Sequence, residues 1–91
     1  MDAETIIAKG KQHIQTVANG ETVLMHTESG RFFSLSGTGR RVWDGMGAPI
    51  AVGALVDRLS QEFAVQREIC LRDVLALCHQ LEAGGLIDVS P

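Results

Sequence analysis

The residues whose types and spacing invite a chemical reading are His13, His26, His79, Cys70 and Cys78, with Arg40-Arg41 and a Gly37-Thr38-Gly39 run. The histidines are scattered, with no HExxH and no His/Cys spacing suited to zinc. They read as surface or strand-face histidines. Cys78-His79 brings a nucleophile next to a base, but neighbours on a helix point about 100° apart, so the two side chains do not face each other. Cys70 and Cys78 lie in a helical pattern and make neither a CxxC pair nor a disulfide framework. They read as buried free thiols in a reducing compartment. Gly37-Thr38-Gly39 lacks the lysine and the preceding βαβ unit of a P-loop and reads as a tight elbow. Arg40-Arg41 is either a solvated helix face or a contact to an acidic peptide. No catalytic residue, metal or cofactor is expected.

The chemistry left is that of the main chain. In GETVLMHTESGRFFSLSGTGRRVW, residues 20–43, Thr22–Thr27 reads as a strand and Glu28-Ser29-Gly30 as a turn. Arg31–Leu35 reads as a second, aromatic-rich strand. Ser36 is placed to cap a helix carrying Val42 and Trp43. The strand Arg31–Leu35 has no later partner in sequence order, so one of its edges stays open. An open edge beside aromatic residues can accept another peptide as an added strand. Phe32 and Phe33 point to opposite faces of such a sheet: one ring belongs to the core and the other is exposed.

Around this stretch, Gln12–Ala18 alternates as a strand, and Asn19-Gly20 marks a type I′ hairpin turn. Together the three strands form a β-meander. Residues 1–11 read either as a short helical turn or as a loose arm before the domain of residues 12–91. A first helix is expected over about Ser36–Met46. A second covers about Val52–Phe63, with Val52, Leu55, Val56, Leu59 and Phe63 at helical spacing. The third and longest covers about Arg67–Ala83, with Cys70, Leu71, Val74, Leu77, Cys78 and Leu81 in its stripe. On the flank of that stripe, Leu71, Leu75 and Glu82 either widen the core face or line a groove. Gly84-Gly85 ends this helix, and Leu86–Val89 forms a short terminal strand. The expected fold is α+β and winged-helix-like: a three-stranded antiparallel β-meander followed by three helices.

Composition narrows the function. The 91 residues make one domain, 45% hydrophobic, too small for a deep enzyme cleft with its scaffold. A formal net charge of −3 argues against nucleic acid as a partner. Neither a signal peptide nor a run of membrane-spanning length is apparent, so a soluble, cytoplasmic protein is expected.

Several stretches together resemble the PqqD-like proteins. GRFFSLSGTGRRVW is similar to that family's G-R-Y-F-x-L-N-x-T-G-x-x-I-W pattern. LVDRLSQEFAV follows after a gap of the right length, and LRDVLALCHQLEAGGLI is similar to the ending D-V-x-x-F-L-x-x-L-x-x-x-G-L-I. The resemblance spans roughly residues 12 to 89 and rests on the joint order of apolar and glycine positions. Ser36-Gly37, Ala51 and Gln66 depart from it, all three at helix starts. The resemblance implies a recognition element that binds the leader of a ribosomally made, post-translationally modified precursor peptide. It implies that the leader adds as a strand to Arg31, Phe32, Phe33, Ser34 and Leu35. Leu71, Leu75, Cys78 and Glu82 of the third helix would form the opposite wall. The Arg-Phe-Phe form and Trp43 look closest to the stand-alone leader-binding proteins of lasso-peptide clusters, whose partner is a separate leader peptidase. A peptide chaperone for a radical SAM enzyme, as in pyrroloquinoline-quinone synthesis, is the nearest rival.

Two further classes remain open. A winged-helix DNA binder would use Arg67 and Arg72, opposed by Glu68, Asp73 and Glu82. A structural subunit would use the open strand to pair with an enzyme, or with a second copy as a homodimer.

Overall fold

A computed structural model describes residues 1–90. The chain builds β1 (Ile6–Lys9), β2 (His13–Ala18), β3 (Glu21–His26), β4 (Phe32–Leu35), α1 (Gly37–Asp44), β5 (Ile50–Ala51), α2 (Val52–Glu62), α3 (Arg67–Ala83) and β6 (Ile87–Ser90). Two three-stranded antiparallel sheets result, in the orders β2-β3-β4 and β5-β1-β6. The first is the meander read from the sequence, and three helices follow it. Asn19 and Gly20 both take positive φ, 53° and 78°, as a type I′ turn requires.

Neither alternative read from residues 1–11 describes them. Ile6–Lys9 is the central strand of the second sheet, between β5 and β6, and Ile7 is fully buried. A four-residue strand carries little pattern of its own, and its main partner lies at the other end of the chain. The terminal strand, displaced by one residue from the expected Leu86–Val89, finds its partner there: Ile7 pairs with Val89 and Ala8 with Asp88. Gly10 closes the junction; its N–H donates to the Leu86 carbonyl at 2.9 Å, and a Cβ at Gly10 would come within 3.1 Å of that oxygen.

α3 has the bounds read from its periodicity, while α1 is shorter than Ser36–Met46. Ser36 occupies the N-cap position in an extended conformation, but its hydroxyl makes no capping bond. Its carbonyl instead accepts from Gly39 N–H at 3.1 Å. The chain turns into α1 through Gly37 at φ 53°, a conformation that is cheap only for glycine. Ala51 and Gln66 also provide no side-chain cap.

One core joins both sheets and all three helices, with Trp43, Ile7, Leu24, Leu55, Val74, Leu81 and Leu86 almost completely buried. Trp43 fixes α1 against β2: its Nε1–H donates to Gln15 Oε1 at 3.1 Å, and His13 packs edge-on at 5.1 Å. Leu71 and Leu75 are half-buried against this core. Cys70 and Cys78 are buried and unpaired.

Candidate functional site

β4 is the edge strand of the meander, with no strand among the described residues on its outer side. Its register against β3 pairs Met25 with Phe32, Leu24 with Phe33, Val23 with Ser34 and Thr22 with Leu35. The next pair along the ladder, His26 and Arg31, is hydrogen-bonded: His26 N–H donates to the Arg31 carbonyl at 3.0 Å. Hydrogen-bonded and non-hydrogen-bonded pairs alternate in an antiparallel ladder. Phe33 and Leu35 therefore bond to β3, whereas the N–H and C=O groups of Phe32 and Ser34 point to the open edge. The other side of β3 agrees. Thr27 N–H donates to Gln12 at 3.0 Å, which gives β2 the odd-numbered residues of β3 and leaves the even-numbered ones to β4.

The two faces of β4 differ. Phe33 and Leu35 point inward with Leu24 and Thr22, and Leu35 is buried. Phe32 points outward and is 69% exposed, so the two rings divide as expected. Across the outer face Ile14, Met25 and Phe32 lie in one row. Ser34 is exposed, and its hydroxyl donates to Glu21 Oε2 at 2.8 Å. Arg31 lies over the Phe33 ring at 5.8 Å.

The wall facing β4 belongs to the flank of α3 that carries Leu77 and Gly84. A Cβ on Gly84 would lie 2.6 Å from the Phe33 ring, and one on Gly39 would lie 3.6 Å from Leu77 and 3.7 Å from Leu35. Gln80 sits one turn before Gly84, on the same side of the helix. Leu71, Leu75 and Glu82 lie roughly 120–180° around the helix from Leu77 and Gly84. The structure therefore does not bring these three to β4. Cys78 is completely buried in the core. Burial raises its thiol pKa to about 11, with Glu82 adding to the shift, and burial raises that of Cys70 as well. Sequence reasoning did not place Leu77 beside β4 because the central stripe alone does not say which flank turns toward that strand. The glycines held the signal, because close helix–strand packing needs positions without a side chain.

A cavity of about 260 Å³ lined by Thr38, Gly39, Val42, Asp73, Val74 and Leu77 continues this cleft between α1 and α3. Among the described residues, no group of His, Cys, Asp or Glu could hold a metal ion and no helix is long and apolar enough to cross a membrane.

Comparison with known proteins gives matches of two kinds. The family described as coenzyme PQQ synthesis protein D (PqqD) matches residues 21–87. Among solved structures, "TbiB1 in Complex with the TbiA(beta) Leader Peptide" has a TM-score of 0.79 at 24% identity, covering 89% of this chain and 94% of that one. "Lasso peptide synthetase B1 complexed with the leader peptide" has a TM-score of 0.73 at 21% identity, covering 93% of this chain and 98% of the other. At these identities the structural likeness establishes the fold. No curated protein matches the chain.

Proposed function

We propose, from the premise that this chain belongs to the PqqD family, that it binds the leader segment of a ribosomally made precursor peptide by strand addition to β4. The observation that carries the reading is the unpaired outer edge of β4, with Phe32 and Ser34 turned toward it, facing the Leu77–Gly84 flank of α3. Main-chain bonds from Phe32 and Ser34 supply affinity without regard to sequence. Specificity comes from peptide side chains that alternate between the inner cleft, beside Phe33, Leu35 and Leu77, and the outer face, beside Phe32. Arg31, at the far end of the strand, offers its charge to an acidic leader residue.

The protein delivers the bound leader to a separate enzyme and performs no chemistry itself. Both similar solved structures hold a leader peptide, and one of them is a lasso peptide synthetase B1, which favours a leader peptidase as that enzyme over a radical SAM enzyme. The free edge also permits pairing with a second copy, which saturating leader would displace. The buried thiols suit a cytoplasmic setting in which they stay reduced.

Proline substitution tests the mode of binding. Ser34→Pro removes an N–H that faces the open edge; it should keep the fold and abolish leader binding, as measured by calorimetric titration. Phe33→Pro removes an N–H bonded to β3 and should destabilise the hairpin. A folded Ser34→Pro variant that binds leader as tightly as the parent rules out strand addition at this edge.

A further inference from the structure

The described chain leaves six large hydrophobic side chains exposed, and three of them, Phe63, Val65 and Ile69 at 41%, 46% and 43%, cluster where α2 turns into α3. With Thr38, Cys70 and Asp73 they line a cavity of about 90 Å³. That volume suits one branched aliphatic side chain and is too small for a folded partner's surface. Ala64, between two of the lining residues, holds the left-handed conformation at φ 53°, which disfavours a side chain. The Val65 N–H donates back to the Ser60 carbonyl at 3.1 Å and closes the turn. The left-handed residue thus ends α2 and leaves Phe63, Val65 and Ile69 exposed around the turn.

The cavity adjoins the one between α1 and α3. It shares Thr38 and Asp73 with the α1–α3 cavity, which in turn reaches Leu77 and Gly39 beside Leu35. Resting on the strand-addition reading above, we infer that this cavity is a second anchor for the same peptide. It takes one leucine or isoleucine side chain lying beyond the Leu35 end of the paired segment. Both pairings in this sheet are antiparallel, and antiparallel addition is the more stable mode. The anchoring residue is therefore N-terminal to the paired segment. Asp73 at the rim favours a basic residue beside it. The anchor fixes register, which main-chain pairing alone leaves free to slip.

The test uses a displayed library of random dodecapeptides selected on the wild-type protein, followed by an alanine scan of the tightest peptide. The scan is repeated on Ile69→Asp, a change tolerated in the first turn of α3 because acidic groups favour helix N-termini. Val65→Asp serves if that variant fails to fold. One aliphatic position outside the paired segment should lose roughly tenfold in affinity on alanine substitution against wild type, the scale of one buried side chain. Against Ile69→Asp the same substitution should change nothing. If the scan has the same profile on both proteins while Ser34→Pro still abolishes binding, the second anchor is wrong and strand addition stands. If no peptide is selected, or Ser34→Pro binds as well as wild type, strand addition fails and the anchor falls with it.

Discussion

The ring of Phe33 lies against the backbone of Gly84, so close that a Cβ there would sit 2.6 Å from the ring edge. Gly84 has ordinary right-handed helical angles, so glycine is required here for space and not for conformation. Gly84→Ala must push the ring toward the cleft and should cost about 1–3 kcal/mol of stability by overpacking. Gly47→Ala, where an added Cβ meets only Asp44 O at 3.9 Å, is the control and should be close to neutral in chemical denaturation. Leader binding should weaken in the first variant alone.

The two flanks of α3 should separate binding from folding. Leu77→Glu places a charge on the wall that faces β4 and should weaken leader binding about tenfold or more, the loss expected of one buried apolar contact. Leu75→Glu, on the opposite flank, should lower the denaturation midpoint and leave the affinity of the folded protein unchanged. Leu81→Ala, fully buried, should cost about 2–5 kcal/mol. Titration of the folded variants decides between the flanks: stronger loss in Leu75→Glu would place the wall where the sequence reading put it.

This contrast shows what was legible in the sequence. The hairpin at Asn19-Gly20, the bounds of α3 and the edge strand all follow from local signals: turn chemistry, apolar period and the lack of a later strand beside Arg31–Leu35. The flank of α3 that meets β4 depends on helix rotation, which is set by long-range packing of Phe33 on Gly84 and of Leu77 near Leu35. The strand at Ile6–Lys9 escaped for a related reason. Its stability comes from pairing with Ile87–Ser90, not from anything in its own four residues. The hydrogen-bond parity of β4 likewise needed the His26–Arg31 bond, because period-two patterning fixes side-chain faces and leaves N–H directions unassigned.

Ala64 offers a stabilising change. At φ 53°, alanine occupies the position after the end of α2 where glycine is usual. Ala64→Gly should raise stability by about 1 kcal/mol, read as a higher urea midpoint with an unchanged slope. An unchanged or lowered midpoint would contradict the left-handed assignment.

Cys78 gives the fold a basic limit. Its pKa rises from 9.0 to about 11, chiefly through burial and secondarily through Glu82. Below the unfolded value the thiol is neutral in both states and its contribution is fully present. As pH climbs from about 9 to about 11, only the unfolded chain readily deprotonates, and stability falls. Cys78→Val should flatten that decline in a series of melts across this window. At neutral pH the native thiol should resist alkylation until the protein unfolds.

Strand addition at β4 is tested most directly by amide hydrogen exchange, residue by residue, with and without leader peptide. In the free protein Phe33 and Leu35 should be protected by β3, while Phe32 and Ser34 exchange freely. On binding, Phe32 and Ser34 should gain protection, and Phe33 and Leu35 should change little. A leader that binds tightly and leaves the amides of Phe32 and Ser34 exchanging as fast as before would contradict strand addition at this edge.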